Sequence, residues 1–189
     1  MSQFSNLADA GAEAGAAYVH AILDLLGTQE PLQVLDGLVK EIETRIEGLT
    51  LSQVKREETP GKWSILQVTK HLADSELVWA YRLRLVLAQD RPELTGYDQD
   101  LWASRLHYEE TDLKDALELL RVVRRANLKL LRSLTTAELQ KAGVHKERGE
   151  ETVAHMIRLY AGHDLVHLRQ ITRICSSLAS PDMQIKQRR

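Results

Sequence analysis

One cysteine, one phenylalanine and four prolines among 189 residues are the scarcities that frame this chain. A single thiol, Cys175, excludes an intrachain disulfide and gives no sign of an oxidising compartment. Few prolines and few aromatics, with Leu, Ala, Glu and Arg abundant, favour helices over sheets. The formal net charge is only −2, which supplies no general attraction to nucleic acid or to an anionic membrane. No apolar run approaches the roughly 20 residues of a membrane span. Residues 1–19 lack a basic region followed by an apolar one, so they do not read as a signal peptide. A cytoplasmic protein without nucleic-acid or membrane partners is the expectation.

What is present is helical periodicity. Hydrophobic residues at 43% and charged residues at 28% fit one globular domain with a sizeable core. Tyr18, Val19, Ile22, Leu23, Leu25 and Leu26 form a short apolar stripe over residues 16–26, ended by Gly27, as an accessory helix packing across the domain or against a second subunit. Pro31 opens a second helix to about Gly48. Ser64, with Gln67 three residues on, is placed to cap a long apolar helix over residues 65–88. A connection follows over residues 89–111, carrying Tyr97 and Trp102, long enough to be functional or partly structured. Asp112 caps a helix to Ser133, residues 135–139 read as one extra turn, and the last long helix spans about 151–178. No segment reads as a strand. The prediction is an all-α four-helix bundle with at least one crossover connection. Residues 1–29 form an N-terminal extension, 30–180 the bundle, and 181–189 a flexible tail.

The chemistry concentrates in Tyr160-Ala161-Gly162-His163-Asp164-Leu165-Val166-His167-Leu168-Arg169-Gln170. His163 and His167, four apart on a helix, stack on one face and can share a divalent ion. A third ligand is needed. Of the other five histidines, His107 and His145 lie in polar connections and are expected in solvent, while His20 and His155 are not forced inward. His71 stands in the most apolar helix, on the border of its buried stripe. Periodicity alone leaves it either a hydrogen-bonded histidine of the bundle's edge or a ligand, with Asp74 and Ser75 one turn on as partners in either case.

The segment 61–76, with Gly61, Trp63, Ser64, His71, Asp74, Ser75 and Glu76, resembles the second-helix signature of the DinB/YfiT-like superfamily. The stretch 97–102, from Tyr97 to Trp102, looks like that family's tyrosine-and-tryptophan connection, and 159–171 is similar to its final helix motif. The resemblance covers about residues 30–175 in order and leaves the N-terminal 27 outside. It implies a four-helix bundle with a divalent metal held by three histidines, which fall here on His71, His163 and His167. Three neutral ligands leave positions open for water or substrate. An all-imidazole set suits zinc, nickel, copper or iron alike.

Asp164 makes the run from His163 to His167 mimic a zinc-protease helix with aspartate in place of glutamate. No further His or Glu follows His167, so Asp164 reads better as a supporting or ion-paired residue than as a base. Ser75 and Arg82 share roughly the face of His71, and Tyr160 and Gln170 flank the histidine pair. These four can line a substrate pocket, Arg82 binding a carboxylate and Tyr160 donating a proton, or Arg82 can be an interhelical salt-bridge residue. Trp102 and Tyr97 cover the pocket mouth or, the better reading, anchor their loop, and Cys175 reads as packing. The basic stripe Arg121, Arg124, Arg125, Lys129 and Arg132 alternates with Glu118 and reads as a solvated helix face. The resemblance implies a metal-dependent enzyme on a small molecule. The expected reaction is transfer or conjugation of a low-molecular-weight thiol, with ester or amide hydrolysis as the alternative and a non-enzymatic metal-binding stress module as a third reading. A homodimer is also expected from the family.

Overall fold

The computed structural model describes residues 11–179, so the predicted tail 181–189 and the first ten residues lie outside the described part. Four long helices make the bundle: α2 (Pro31–Ile46), α4 (Ile65–Ala88), α6 (Leu113–Leu131) and α8 (Val153–Ala179). Contacts run α2 to α8, α8 to α4, α4 to α6 and α6 back to α2. The chain therefore crosses the bundle twice, between α2 and α4 and between α6 and α8. The predicted cap of α4 is present on both sides, with Gln67 N–H donating to Ser64 Oγ at 3.3 Å and Ser64 N–H to Gln67 Oε1 at 2.9 Å.

Helix α1 (Gly11–Leu26) starts earlier than the apolar stripe suggested and packs along α8. The two backbones meet at Gly162, where an added Cβ would run into the carbonyl oxygen of Ile22. Only glycine permits that approach. Gly162→Ala must push α1 away from α8, and overpacking of this kind costs about 1–3 kcal/mol. A fall in urea midpoint of that size, with cleavage by protease near α1, is the expected result. An unchanged midpoint would show that α1 is not seated there.

The connections hold more structure than their composition promised. Three short strands form one sheet, β1 (Glu93–Leu94) parallel to β2 (Ala142–His145) and β2 antiparallel to β3 (Gly149–Thr152). This corrects the strand-free expectation. Two- and four-residue strands, one of them Gly-Glu-Glu-Thr, carry no apolar alternation to read. The sheet clamps the α4–α6 connection onto the hairpin that precedes α8, with Val144 N–H donating to Pro92 O at 2.9 Å. Between β1 and α6 lie α5 (Gln99–Arg105), capped by Asp98, and a single 3-10 turn. Helices α3 (Leu51–Val54) and α7 (Thr136–Leu139) are one turn each.

A small apolar cluster of Ile22, Leu159 and Val166 seats α1 on α8. The bundle's own core divides into two more, one around Leu38, Ile42, Leu66, Leu72, Leu120 and Ile171, the other around Leu35, Trp79, Leu83, Leu128, Val153 and Met156. A polar tier separates them at mid-height. Arg124 of α6 donates to Asp164 of α8 at 2.7 and 3.3 Å, to Glu76 of α4 at 2.8 Å and to the Leu35 carbonyl of α2 at 2.7 Å. Asn127 adds a bond to Glu76 at 2.7 Å, and Arg84 reaches Asn127 at 2.8 Å. One guanidinium thus ties all four helices. The solvated-stripe expectation fails at Arg124, which is 3% exposed. Its neighbours Arg121 and Arg132 do face outward, paired with Glu43 and Asp36.

Candidate metal centre

Helix α4 delivers His71 and helix α8 delivers His163 and His167 to one point beside the polar tier. His163 Nε2 lies 3.3 Å from His71 Nε2 and 3.2 Å from His167 Nε2. Two nitrogens bound tetrahedrally at about 2.0–2.1 Å from zinc would stand about 3.3 Å apart. His71 and His167 are buried and His163 is half-buried, so the centre is enclosed on the bundle side and open on the other.

Electrostatics favour a cation over protons here. Burial, and then the neighbouring His167, hold His71 well below the ordinary histidine range, and the same causes with His71 added hold His163 there. Burial takes His167 down to about 4. The rings are therefore neutral at pH 7. Gln170 Oε1 accepts from His167 Nδ1–H at 3.0 Å, which fixes that tautomer and turns the Nε2 lone pair to the centre. With the same tautomer on His71 and His163, three Nε2 lone pairs converge on one point, an arrangement that a cation between them stabilises. The Nδ1 atoms of His71 and His163 are buried without protein partners.

The rings are held by stacking. Trp63 packs on His71 at 5.0 Å between centroids. Tyr160 stacks on His163 at 5.8 Å and on Trp79 at 4.5 Å, with Arg124 5.1 Å from its own ring. Its phenol, pushed well above its ordinary value by burial, is buried without a protein partner. Tyr160 is thus a wall of the site. Asp164 points away into the polar tier, fully buried on Arg124, so it is no base of the centre; burial raises its carboxyl to about 6 against the pull of Arg124.

A cavity of about 160 Å³ opens from the three histidines, with Trp63, Trp79, Tyr160 and Ile22 among its apolar walls. Ser75 and Arg82 line it as the sequence suggested. Trp102 does not line it; it packs on Tyr97 at 4.5 Å and anchors the loop. Gln170 sits behind His167 rather than in the cavity. Tyr97, the partner of Trp102 in the sequence reading, does line it, and so does His145, which the sequence did not mark as a site residue. The Tyr97 hydroxyl meets Ser75 Oγ at 2.7 Å, and Ser75 Oγ lies 3.4 Å from His71 Nε2. His145, expected in solvent, is 1% exposed, because β2 turns it inward; burial, with Arg148 and Arg82 nearby, takes it down to about 3. The Ala-Gly-Val-His strand carries no apolar alternation that could have signalled this.

The family model for the DinB superfamily matches residues 35–171. The chain belongs to that superfamily. A DinB relative from Oceanobacillus iheyensis, named a putative metal-dependent hydrolase, is 27% identical over 146 residues, covering 77% of this chain and 84% of the relative. One from Halalkalibacterium halodurans with the same name is 31% identical over 140 residues, covering 70% and 81%. The solved structure of YfiT from Bacillus subtilis superposes with a TM-score of 0.74 at 26% identity, over 80% of this chain and 89% of YfiT. YfiT is described as a probable metal-dependent hydrolase with an unusual four-helix bundle topology. This DinB chain is likewise a four-helix bundle. No helix among the described residues is long and apolar enough to cross a membrane.

The four buried imidazoles set a pH dependence. His71, His163, His167 and His145 all titrate lower in the fold than the usual 6.5. Below that value the unfolded chain binds more protons than the folded one, so stability falls as pH drops from about 6.5 toward 4. The raised carboxyls of Asp164 and Asp100 act oppositely, as two groups against four. Thermal scans of the metal-free protein should show a melting temperature that declines from pH 7 to pH 5. A flat or rising profile would contradict the burial of these rings.

Proposed function

We propose that the protein is a metal-dependent enzyme acting on a small molecule, with His71, His163 and His167 holding a divalent cation at the head of the cavity. The convergence of their three Nε2 atoms carries this reading. Zinc, nickel and iron all suit three imidazoles, and three protein ligands leave positions open. Such a cation supplies Lewis acidity and a nucleophile usable at neutral pH.

The chain's own residues supply the rest. Gln170 orients His167, Trp63 steadies His71, and the aromatic walls restrict water. The Ser75–Tyr97 hydroxyl pair stands beside the centre, where it can donate to a carbonyl oxygen or a leaving group. Burial raises the Tyr97 phenol, with its bond to Ser75 opposing, so it keeps its proton at neutral pH. We therefore favour hydrolysis, which the relatives' names also carry, with a small ester or amide as the substrate. Thiol transfer is the second reading. Three neutral ligands leave the full charge of the cation to hold a thiolate in place of water.

The test is metal analysis followed by two substrate panels on the metal-loaded protein. One panel holds short esters and amides; the other pairs an electrophile with bacillithiol, mycothiol or glutathione. Turnover of the first, lowered at least about tenfold in Tyr97→Phe, supports hydrolysis with the hydroxyl pair in use. Turnover of the second alone assigns thiol transfer. Metal at one per chain with turnover of neither would favour a binding module.

A further inference from the structure

The cavity has a second polar pole, built from α4 and the β2–β3 hairpin rather than from the three histidines. His145 Nδ1 accepts the Glu147 backbone N–H at 3.2 Å, so the neutral ring carries its proton on Nε2. That Nε2–H is buried and has no protein acceptor. Arg82 donates through Nη2 to the Thr95 carbonyl, but its Nε–H is likewise buried without an acceptor. Both residues line the cavity.

Charge around this pole is uneven. Arg148 is committed to Glu151, with Nε–H to Oε1 at 2.5 Å and Nη2–H to Oε2 at 3.2 Å. Glu147 lies on the hairpin turn, its carboxylate against Gly96, where an added Cβ would stand 2.8 Å from Oε1. Among the described residues no carboxylate is within ion-pair distance of Arg82. A half-buried guanidinium with an idle N–H, next to an idle imidazole N–H, is a pair of donors in want of an acidic acceptor. Burial and the like charge of Arg148 both push the Arg82 guanidinium down, a strain that an anion would relieve.

We propose that the cavity takes a small carboxylic acid whose carboxylate accepts from Arg82 Nε–H and His145 Nε2–H while its other end faces the three histidines. This rests on reading the cavity as the substrate pocket and narrows the substrate to an acidic one. The volume of about 160 Å³ resembles that of cavities known to hold a benzene-sized ligand, so the acid is short. Of the two hairpin carboxylates that act on Arg82, Glu151 is spent on Arg148, so Glu147 is the one that opposes an anion and limits affinity.

Calorimetric titration with butyrate, butyramide and butylphosphonate, on metal-loaded and chelator-stripped protein, tests this. Butyrate should bind both forms, and at least about tenfold more tightly than butyramide. Arg82→Met should lose about the same factor while keeping the wild-type metal content, and Glu147→Gln should bind butyrate more tightly. Should Arg82→Met fail to fold, the comparison of butyrate with butyramide on the unaltered chain still decides. Equal binding of the two overturns the proposal. Binding of butyrate to the metal-loaded form alone also overturns it, since the carboxylate would then sit on the metal. Preference for butylphosphonate over butyrate would reassign the pole to phosphoryl groups and overturn the carboxylate. Loss of metal with retained, Arg82-dependent butyrate binding would refute the metal reading and leave this one standing.

Discussion

Replacing His163 by alanine is expected to empty the metal centre while leaving the bundle folded. His163 is the shared vertex of the site, with Nε2 at 3.3 Å from His71 and 3.2 Å from His167, so its loss leaves two imidazoles without their link. Removing an outer partner such as the Gln170 amide typically costs about 10–100-fold in metal affinity. Removing a ligand must cost more. Equilibrium dialysis should find metal falling from about one per chain to less than about a tenth, with activity lost in parallel. The fold should persist because His163 is half-buried and its neighbour Tyr160 keeps its stack on Trp79. Thermal shift gives an independent reading. Metal at a hundred times its dissociation constant stabilises a binding protein by about 2.7 kcal/mol, and the variant should show no such gain. A His163→Ala protein that binds one metal with native affinity would refute the three-histidine centre.

Arg124→Met is expected to be the most destabilising single substitution in the bundle. The side chain is 3% exposed and satisfies Glu76, Asp164 and the Leu35 carbonyl from one guanidinium. Burial disfavours its charge, but Asp164 and Glu76 together outweigh that and raise it above its ordinary value. Methionine fills the space yet leaves two buried carboxylates facing each other. Breaking a buried pair from one side costs about 3–5 kcal/mol, against a total stability of about 5–15 kcal/mol for a domain. Arg124→Lys should recover only part, because one ammonium cannot fork between two carboxylates. The triple change with Glu76→Gln and Asp164→Asn removes the stranded charges and should recover more. Urea unfolding of the three proteins measures this order. A loss under about 1 kcal/mol for Arg124→Met would show that the tier is not holding the helices.

The bundle was legible because each long helix carries its own 3.6-residue pattern and its own stop and start residues. Ser64 and Gln67 cap α4 as their spacing implied, and Asp112 caps α6 through bonds to Lys114 and Asp115 N–H. The polar tier was not legible. Glu76, Arg124 and Asp164 look like surface charges in a helical wheel, since nothing local distinguishes a charge that faces solvent from one that faces two opposite charges. The strands escaped for a related reason. β1 and β2 pair across about fifty residues, the β2–β3 hairpin has strands of only four, and none of the three has a pattern of its own.

By itself, then, the sequence determined the helices, their caps and the one-turn spacing of His163 and His167, all set by neighbours in the chain. The resemblance to the family named His71 as their partner. The tertiary structure decided what depends on distant segments meeting: that His71 lies 3.3 Å from His163, that Asp164 is spent on Arg124, and that β2 turns His145 into the cavity. A spacing of four residues fixes which face a side chain takes. Only the packing of α4, α6 and the hairpin against α8 fixes what that face meets.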